Sequence, residues 1–135
     1  MSEEKKLTVK ASDQNLAAVN TFIHSLLPAG CDDMILNQID LAVEEIFVNI
    51  AHYSGADEAI INCSFENDKL EVTFSDSGVP FNPLAKPDPD ITLNAEEREI
   101  GGLGIYLTKK FMDTVSYEYK DGMNCLRIIK SVTPQ

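Results

Sequence analysis

The sequence predicts a two-layer α+β sandwich, a mixed but mostly antiparallel sheet with helices on one face. Three observations carry this. Strand-like runs come in adjacent pairs joined by short polar turns, helical periodicities are gathered between the first strand and the first pair, and one more helix separates the two pairs. With 135 residues and 44% hydrophobic residues, the chain can bury one sizeable core, and it is read as one domain spanning 1–135.

Leu7 to Ala11 alternates apolar and polar side chains and predicts a strand, while the charged opening Ser2 to Lys6 is expected to fray. Ser12 or Asp13 can cap a helix starting near Gln14, with Leu16, Val19, Ile23 and Leu26 as its apolar stripe and Pro28-Ala29-Gly30 as its stop. Asp32 or Asp33 then caps a long helix running to about Tyr53 and closed by Ser54-Gly55. Ile35, Ile39, Val43, Ile46 and Ile50 face one packed surface, and Leu36, Phe47 and Ala51 another, so polar residues in its middle require a reason.

Ala59 to Phe65 and Leu70 to Phe74 predict a hairpin around Glu66-Asn67-Asp68-Lys69. The stretch from Gly78 to Ile100 carries prolines and acids, is too long for an ordinary connection, and is read as a functional lid or a mobile loop, the lid at about 83–100. Gly101-Gly102-Leu103-Gly104 leads into a helix from Ile105 to Met112, and the strands Val115 to Tyr119 and Cys125 to Ile129 close the chain around Asp121-Gly122; the last residues, around Pro134, are expected to fray.

The net charge of −11 argues against a nucleic-acid ligand, because backbone affinity rests on lysines and arginines that release counterions. It does not exclude a single nucleotide, which a metal ion and backbone N–H groups can hold on an otherwise acidic surface. Cys31, Cys63 and Cys125 are odd in number and widely spaced, with no C-x-x-C pair, as expected of reduced thiols. No apolar run approaches the roughly 20 residues of a membrane span and no secretory h-region is present, so a cytoplasmic protein without a membrane partner is expected.

Three motifs carry chemistry. Glu45 and Asn49 are four apart and share one helix face, where an amide oxygen suits Mg²⁺ and a carboxylate one turn away can take a proton; Leu41 and His52 extend the row, and Glu44 is the rival carboxylate. Asp76-Ser77-Gly78 ends a strand with an acceptor for an amino group such as that of adenine, and with a glycine suited to positive φ or to a close approach. Gly102-Leu103-Gly104 opens a helix, where free N–H groups and absent Cβ atoms let phosphate oxygens approach. Each motif alone is also ordinary structure: a solvated pair, a turn, a hinge. His24 and His52 have no metal-ligand spacing, Lys109 and Lys110 fit a solvated helix face, and Tyr106, Tyr117 and Tyr119 fit core or sheet positions.

In this order, Glu45-Ile-Phe-Val-Asn49, Asp76-Ser-Gly-Val-Pro-Phe-Asn-Pro83 and Gly101-Gly-Leu-Gly-Ile-Tyr-Leu-Thr-Lys-Lys-Phe-Met-Asp113 resemble the three nucleotide boxes of the GHKL ATPases, and most closely those of the bacterial anti-sigma-factor serine kinases. The resemblance runs from about Leu7 to Val132 and implies the Bergerat α/β sandwich. It implies ATP and Mg²⁺ as cofactors, with Asn49 as metal ligand, Glu45 as general base, Asp76 holding adenine, Gly78 lining the base pocket, and Gly102, Leu103 and Gly104 at the phosphates. It further implies transfer of the ATP γ-phosphoryl group to a serine of an anti-anti-sigma protein of STAS type, competition of that protein with a sigma factor in transcription regulation, and a possible homodimer. The alternative is an ATP-dependent switch that sequesters a partner without phosphorylating it. A histidine-kinase ATPase domain is disfavoured, since His24 lies on one short helix with no second partner. Two departures stand out: Tyr53 occupies the place where relatives often carry His, with His52 displaced by one, and Arg98 is the nearest cation before the glycines.

Overall fold

The computed structural model describes residues 3–85 and 102–132. The elements run β1 (Glu3–Lys10), α1 (Leu16–His24), α2 (Asp33–Asn49), β2 (Glu58–Glu66), β3 (Lys69–Asp76), α3 (Gly102–Phe111), β4 (Thr114–Lys120) and β5 (Met123–Ser131). The five strands form one sheet in the order β1-β2-β3-β5-β4, antiparallel at all four pairings. The expected sandwich is therefore present, with its helices packed on the face that carries the apolar rows.

Those rows follow from the pleat. Ala59, Ile61 and Cys63 of β2, Leu70, Val72 and Phe74 of β3, and Leu126 and Ile128 of β5 are buried at every second position. Register aligns Ile61 with Phe74 and Phe74 with Leu126, so the rows meet across the sheet. Val19 and Ile23 of α1 and Ile39, Ala42, Val43, Ile46 and Phe47 of α2 cover them. Burying a large apolar side chain contributes roughly 1.5–3 kcal/mol, so the α2 face alone outweighs the cost of half-burying a few polar groups on the same helix.

Both hairpin turns have the chemistry their sequence predicts. Asn67 and Asp68 sit at φ 54° and 60°, and Asp121 and Gly122 at 55° and 77°, the left-handed pairs that match strand twist in two-residue loops. The Asp32 side chain accepts from the Met34 N–H at 3.1 Å and settles the cap of α2. Ser12 caps the single 3₁₀ turn of Asp13–Asn15 that precedes α1.

Two expectations change. The strand begins at Glu3, not Leu7, because the charged opening takes its backbone hydrogen bonds from β2, with Glu3 opposite Phe65. Lysines on such an edge strand stay solvated and blunt edge-to-edge pairing. The long helix does not run uniformly to Tyr53: after Asn49 it widens into a π turn, Ile50–Ser54, ended by Gly55 at φ 76°. Of the proposed lid only a 3₁₀ turn, Pro83–Ala85, is described; 86–101, including Arg98, and the terminal residues around Pro134 lie outside the described residues.

Candidate functional site

At one end of the sheet the inward row turns polar. Asp76 is the next inward residue of β3 after Phe74, and its register partner Asn124 is the next inward residue of β5 before Leu126. Asp76 is 3% exposed and Asn124 5%, which makes their hydrogen bonding obligatory. Asp76 Oδ1 accepts from the Gly78 N–H at 2.9 Å and from Asn124 Nδ2 at 3.1 Å. Among the described residues both bonds fall on one oxygen, and Oδ2 is the one that can accept from a donor in the cleft.

Asn124 is the hub of this end. Its Nδ2 also donates to the Val79 carbonyl at 2.8 Å, and its Oδ1 accepts from the Phe81 N–H at 2.9 Å and from the Tyr117 hydroxyl. One amide thus fixes the Asp76 carboxylate and the chain that follows it. Burial pushes the Tyr117 phenol above its ordinary value; the Phe81 backbone opposes this and the Asp76 charge adds to it, so the hydroxyl remains a donor. No local pattern pointed to Asn124. The one available signal was an amide at a position where period-two alternation calls for an apolar side chain.

Gly78 meets a close approach of a different kind from the one its motif suggested. It is not among the positive-φ residues; a Cβ there would lie 2.1 Å from the Ser54 carbonyl oxygen. Val79 N–H donates to that same carbonyl at 2.9 Å, so the loop after β3 is laid directly on the end of the π turn. Ser54, itself 2% exposed, donates to the Ile50 carbonyl at 2.9 Å. Tyr53 is exposed, and its ring lies 6.0 Å from that of Phe81.

Between this polar end and α2 lies a small cleft, partly open to solvent. Asn49, Ile50 and Ser54 line it from the helix, Phe74, Asp76 and Asn124 from the sheet. Its apolar walls and few convergent polar groups are what a flat heterocycle with an amino edge requires.

Glu45 lies one turn before Asn49, half-buried, while Glu44 is exposed. Asn49 Nδ2 donates to Glu45 Oε1 at 3.4 Å, and among the described residues Asn49 Oδ1 has no hydrogen-bond partner, an amide oxygen of the kind a hard cation takes. Burial raises the Glu45 carboxyl above its ordinary value, the Asn49 bond pulls it down, and the Glu44 charge raises it again. Glu45 does not line the cleft; it rests against Gly104 in the first turn of α3, which Gly102 and Leu103 open. Among the described residues no three His, Cys, Asp or Glu side chains gather as a metal nest.

His52 leaves the row it was expected to extend. The wider π turn carries it away from the cleft to Asp13, with Nε2 2.8 Å from Oδ2. His24 likewise bonds Asp40 at 2.6 Å and ties α1 to α2, so both histidines are structural. Lys110 is exposed, 5.8 Å from the Tyr106 ring centroid, whereas Lys109 is half-buried and not fully solvated as expected. No helix among the described residues is long and apolar enough to cross a membrane.

An antiparallel sheet backed by helices, with a buried carboxylate at a strand end and a glycine-led helix near an Asn/Glu pair, defines a nucleotide-binding α+β sandwich. The family described as the histidine kinase-like ATPase domain matches residues 9–130, and the chain belongs to it. It is 31% identical over 104 residues to a serine-protein kinase RsbW of Listeria monocytogenes, an alignment covering 71% of this chain and 66% of that protein. The chain thus spans just under two thirds of the length of such relatives. It is 26% identical over 121 residues to an anti-sigma F factor of Oceanobacillus iheyensis, covering 85% of this chain and 82% of the other. The crystal structure of the RsbU and RsbW domains of Rv1364c from Mycobacterium tuberculosis superposes with a TM-score of 0.67, covering 98% of this chain and 33% of that one; at 11% identity it shows the shared fold.

Proposed function

We propose that this chain is an ATP-dependent protein serine kinase and anti-sigma regulator. It would transfer the γ-phosphoryl group to a serine of a STAS-type partner that, unphosphorylated, competes with a sigma factor for the kinase. The observation that carries the reading is Asp76: a buried carboxylate with one oxygen fixed by Gly78 and Asn124 and the other left for an amino group, in the same cleft as Asn49. The names of the similar proteins, serine-protein kinase and anti-sigma factor, supply the reaction class.

In this reading Asp76 accepts from the exocyclic amine of adenine and disfavours guanine, whose carbonyl offers it nothing. Gly78 keeps the loop beside the base, and Gly102, Leu103 and Gly104 bring the N-terminus of α3 to the phosphates. Asn49 Oδ1, without a hydrogen-bond partner among the described residues, would hold Mg²⁺, which when bound neutralises charge on the phosphate oxygens. Glu45 accepts the proton of the serine hydroxyl as its oxygen bonds to the γ-phosphorus and the bond to the β–γ bridging oxygen breaks, leaving ADP. A carboxyl group raised by burial is better matched to that task near neutral pH than a solvated one.

The test is phosphoryl transfer from labelled ATP to proteins of a cytosolic extract from the source cell. Phosphoserine on one small protein, lost with Glu45→Ala, supports the kinase. Mg-ATP binding without any labelled protein would favour the sequestering switch, and failure to bind Mg-ATP would overturn both.

A further inference from the structure

We infer that Gly104 is a positioning residue for Glu45: the space left by its missing side chain is where the Glu45 carboxylate rests, so this glycine aims the base. The inference deepens the kinase reading and takes from it the role of Glu45.

A Cβ built at position 104 would lie 2.2 Å from both Cδ and Oε2 of Glu45 and 2.8 Å from its Cγ. Approaches under 3.0 Å do not persist, so any side chain at 104 moves the carboxyl group. What it meets is the end of a flexible side chain, so the fold survives the change. At Gly78, by contrast, the atoms met are the backbone carbonyl of Ser54, at 2.1 Å and 2.7 Å, which cannot swing aside.

Among the described residues, the other tie on Glu45 is the 3.4 Å bond from Asn49, at the long limit for an N–H···O contact. Gly104 stands in the first turn of α3, where unpaired N–H groups and the helix dipole favour a negative charge. Glycine favours a helix less than alanine does, because it gives up more backbone freedom. Alanine at 104 would therefore strengthen the helix while spoiling the aim of the carboxylate. The backbone around Gly104 is held independently, since the Thr108 hydroxyl donates to its carbonyl at 2.8 Å.

The experiment compares wild type, Gly104→Ala and, as a control on the exposed face of the same helix, Lys110→Ala. Three readouts are taken: Mg-ATP affinity by calorimetry, the single-turnover transfer rate, and the side-chain carboxyl carbon resonance of Glu45 in glutamate-labelled protein. For Gly104→Ala the expected result is an undiminished melting temperature, an affinity within about threefold of wild type, a transfer rate down about a hundredfold and a displaced Glu45 resonance. Lys110→Ala leaves all of these in place. An unmoved Glu45 resonance overturns the inference, as does an affinity loss that accounts for the whole rate loss, since Gly104 would then serve the phosphates. A displaced resonance with an unchanged rate overturns it too. If wild type binds Mg-ATP but transfers nothing, the kinase reading has failed, and the resonance alone decides whether Gly104 places Glu45.

Discussion

The two ends of the site are built differently. At the sheet end, Asp76, Asn124, Gly78, Val79, Phe81 and Tyr117 are joined by short hydrogen bonds and sit on paired strands or directly after one. At the helix end, Glu45 and Asn49 share one 3.4 Å contact, and Glu45 rests against Gly104. Strands can hold a recognition group in place before a ligand arrives, because inter-strand bonds and the pleat fix its direction. Among the described residues, the helix end leaves the Asn49 amide oxygen without a partner and gives the Glu45 carboxylate one long bond. On the proposed function, binding specificity is preorganised on the sheet, whereas the reacting groups are completed by the substrate itself.

Glu45→Gln is the sharpest way to break this contrast. It keeps the shape and the Asn49 contact but removes the base, so transfer should fall about 10²- to 10⁴-fold while Mg-ATP affinity barely changes. Single-turnover assays beside calorimetry check this. Equal losses in rate and affinity would mean that the helix end takes part in ground-state binding and the division is wrong.

Asp76→Asn probes the sheet end. The Gly78 N–H and Asn124 Nδ2 both donate to one oxygen of Asp76, so an asparagine there must present its carbonyl to them and its NH₂ to the cleft. A donor would then face the adenine amine. ATP affinity should drop about 10- to 100-fold, the worth of a hydrogen bond to a charged group, and the preference for ATP over GTP should shrink. Calorimetry with both nucleotides reads it, and unchanged ATP affinity would remove Asp76 from adenine recognition.

Asn124→Ala and Asn49→Ala separate the two ends by stability. Removing Asn124 leaves the Phe81 N–H, the Val79 carbonyl and the Tyr117 hydroxyl without their partner and should lower stability by about 1–3 kcal/mol in urea unfolding. Removing Asn49, which makes one long contact, should change stability by less than about 0.5 kcal/mol while weakening Mg-ATP binding. Equal stability losses would erase the distinction between a preorganised end and an open one.

What the sequence made legible follows the same division. Element types came through because period-two rows such as Leu70, Val72 and Phe74 and the turn pairs Asn67-Asp68 and Asp121-Gly122 are local signals. Glu45 and Asn49 could be paired because four residues make one helical turn. Asn124 could not, since its partner Asp76 lies 48 residues away and only strand register joins them. The first half of β1 was hidden for a similar reason, its stability coming from the backbone of β2 and not from its own charged side chains. The π turn was equally invisible, and it accompanies the contact between Ser54 and Gly78 that two distant segments make together.

The smallest expected effect lies in the pH dependence of Glu45. Burial raises its folded-state pKa above the ordinary 4.5, against the lowering by Asn49 and with a further rise from Glu44. For an acid raised in the folded state, the folded protein holds the proton more tightly than the unfolded chain. The desolvation cost is therefore absent below the unfolded value and enters as pH rises from there through the folded value. Wild type should lose stability relative to Glu45→Gln across that interval and run parallel to it on either side, as urea midpoints measured at closely spaced pH would show. The transfer rate should move in the opposite direction: it needs the ionised base, so it rises with pH through the value Glu45 holds with Mg-ATP bound. Loss of both inflections in Glu45→Gln would place both effects on one carboxyl group. A stability curve with no inflection in that interval would mean that Glu45 is less buried in solution than its seat against Gly104 requires.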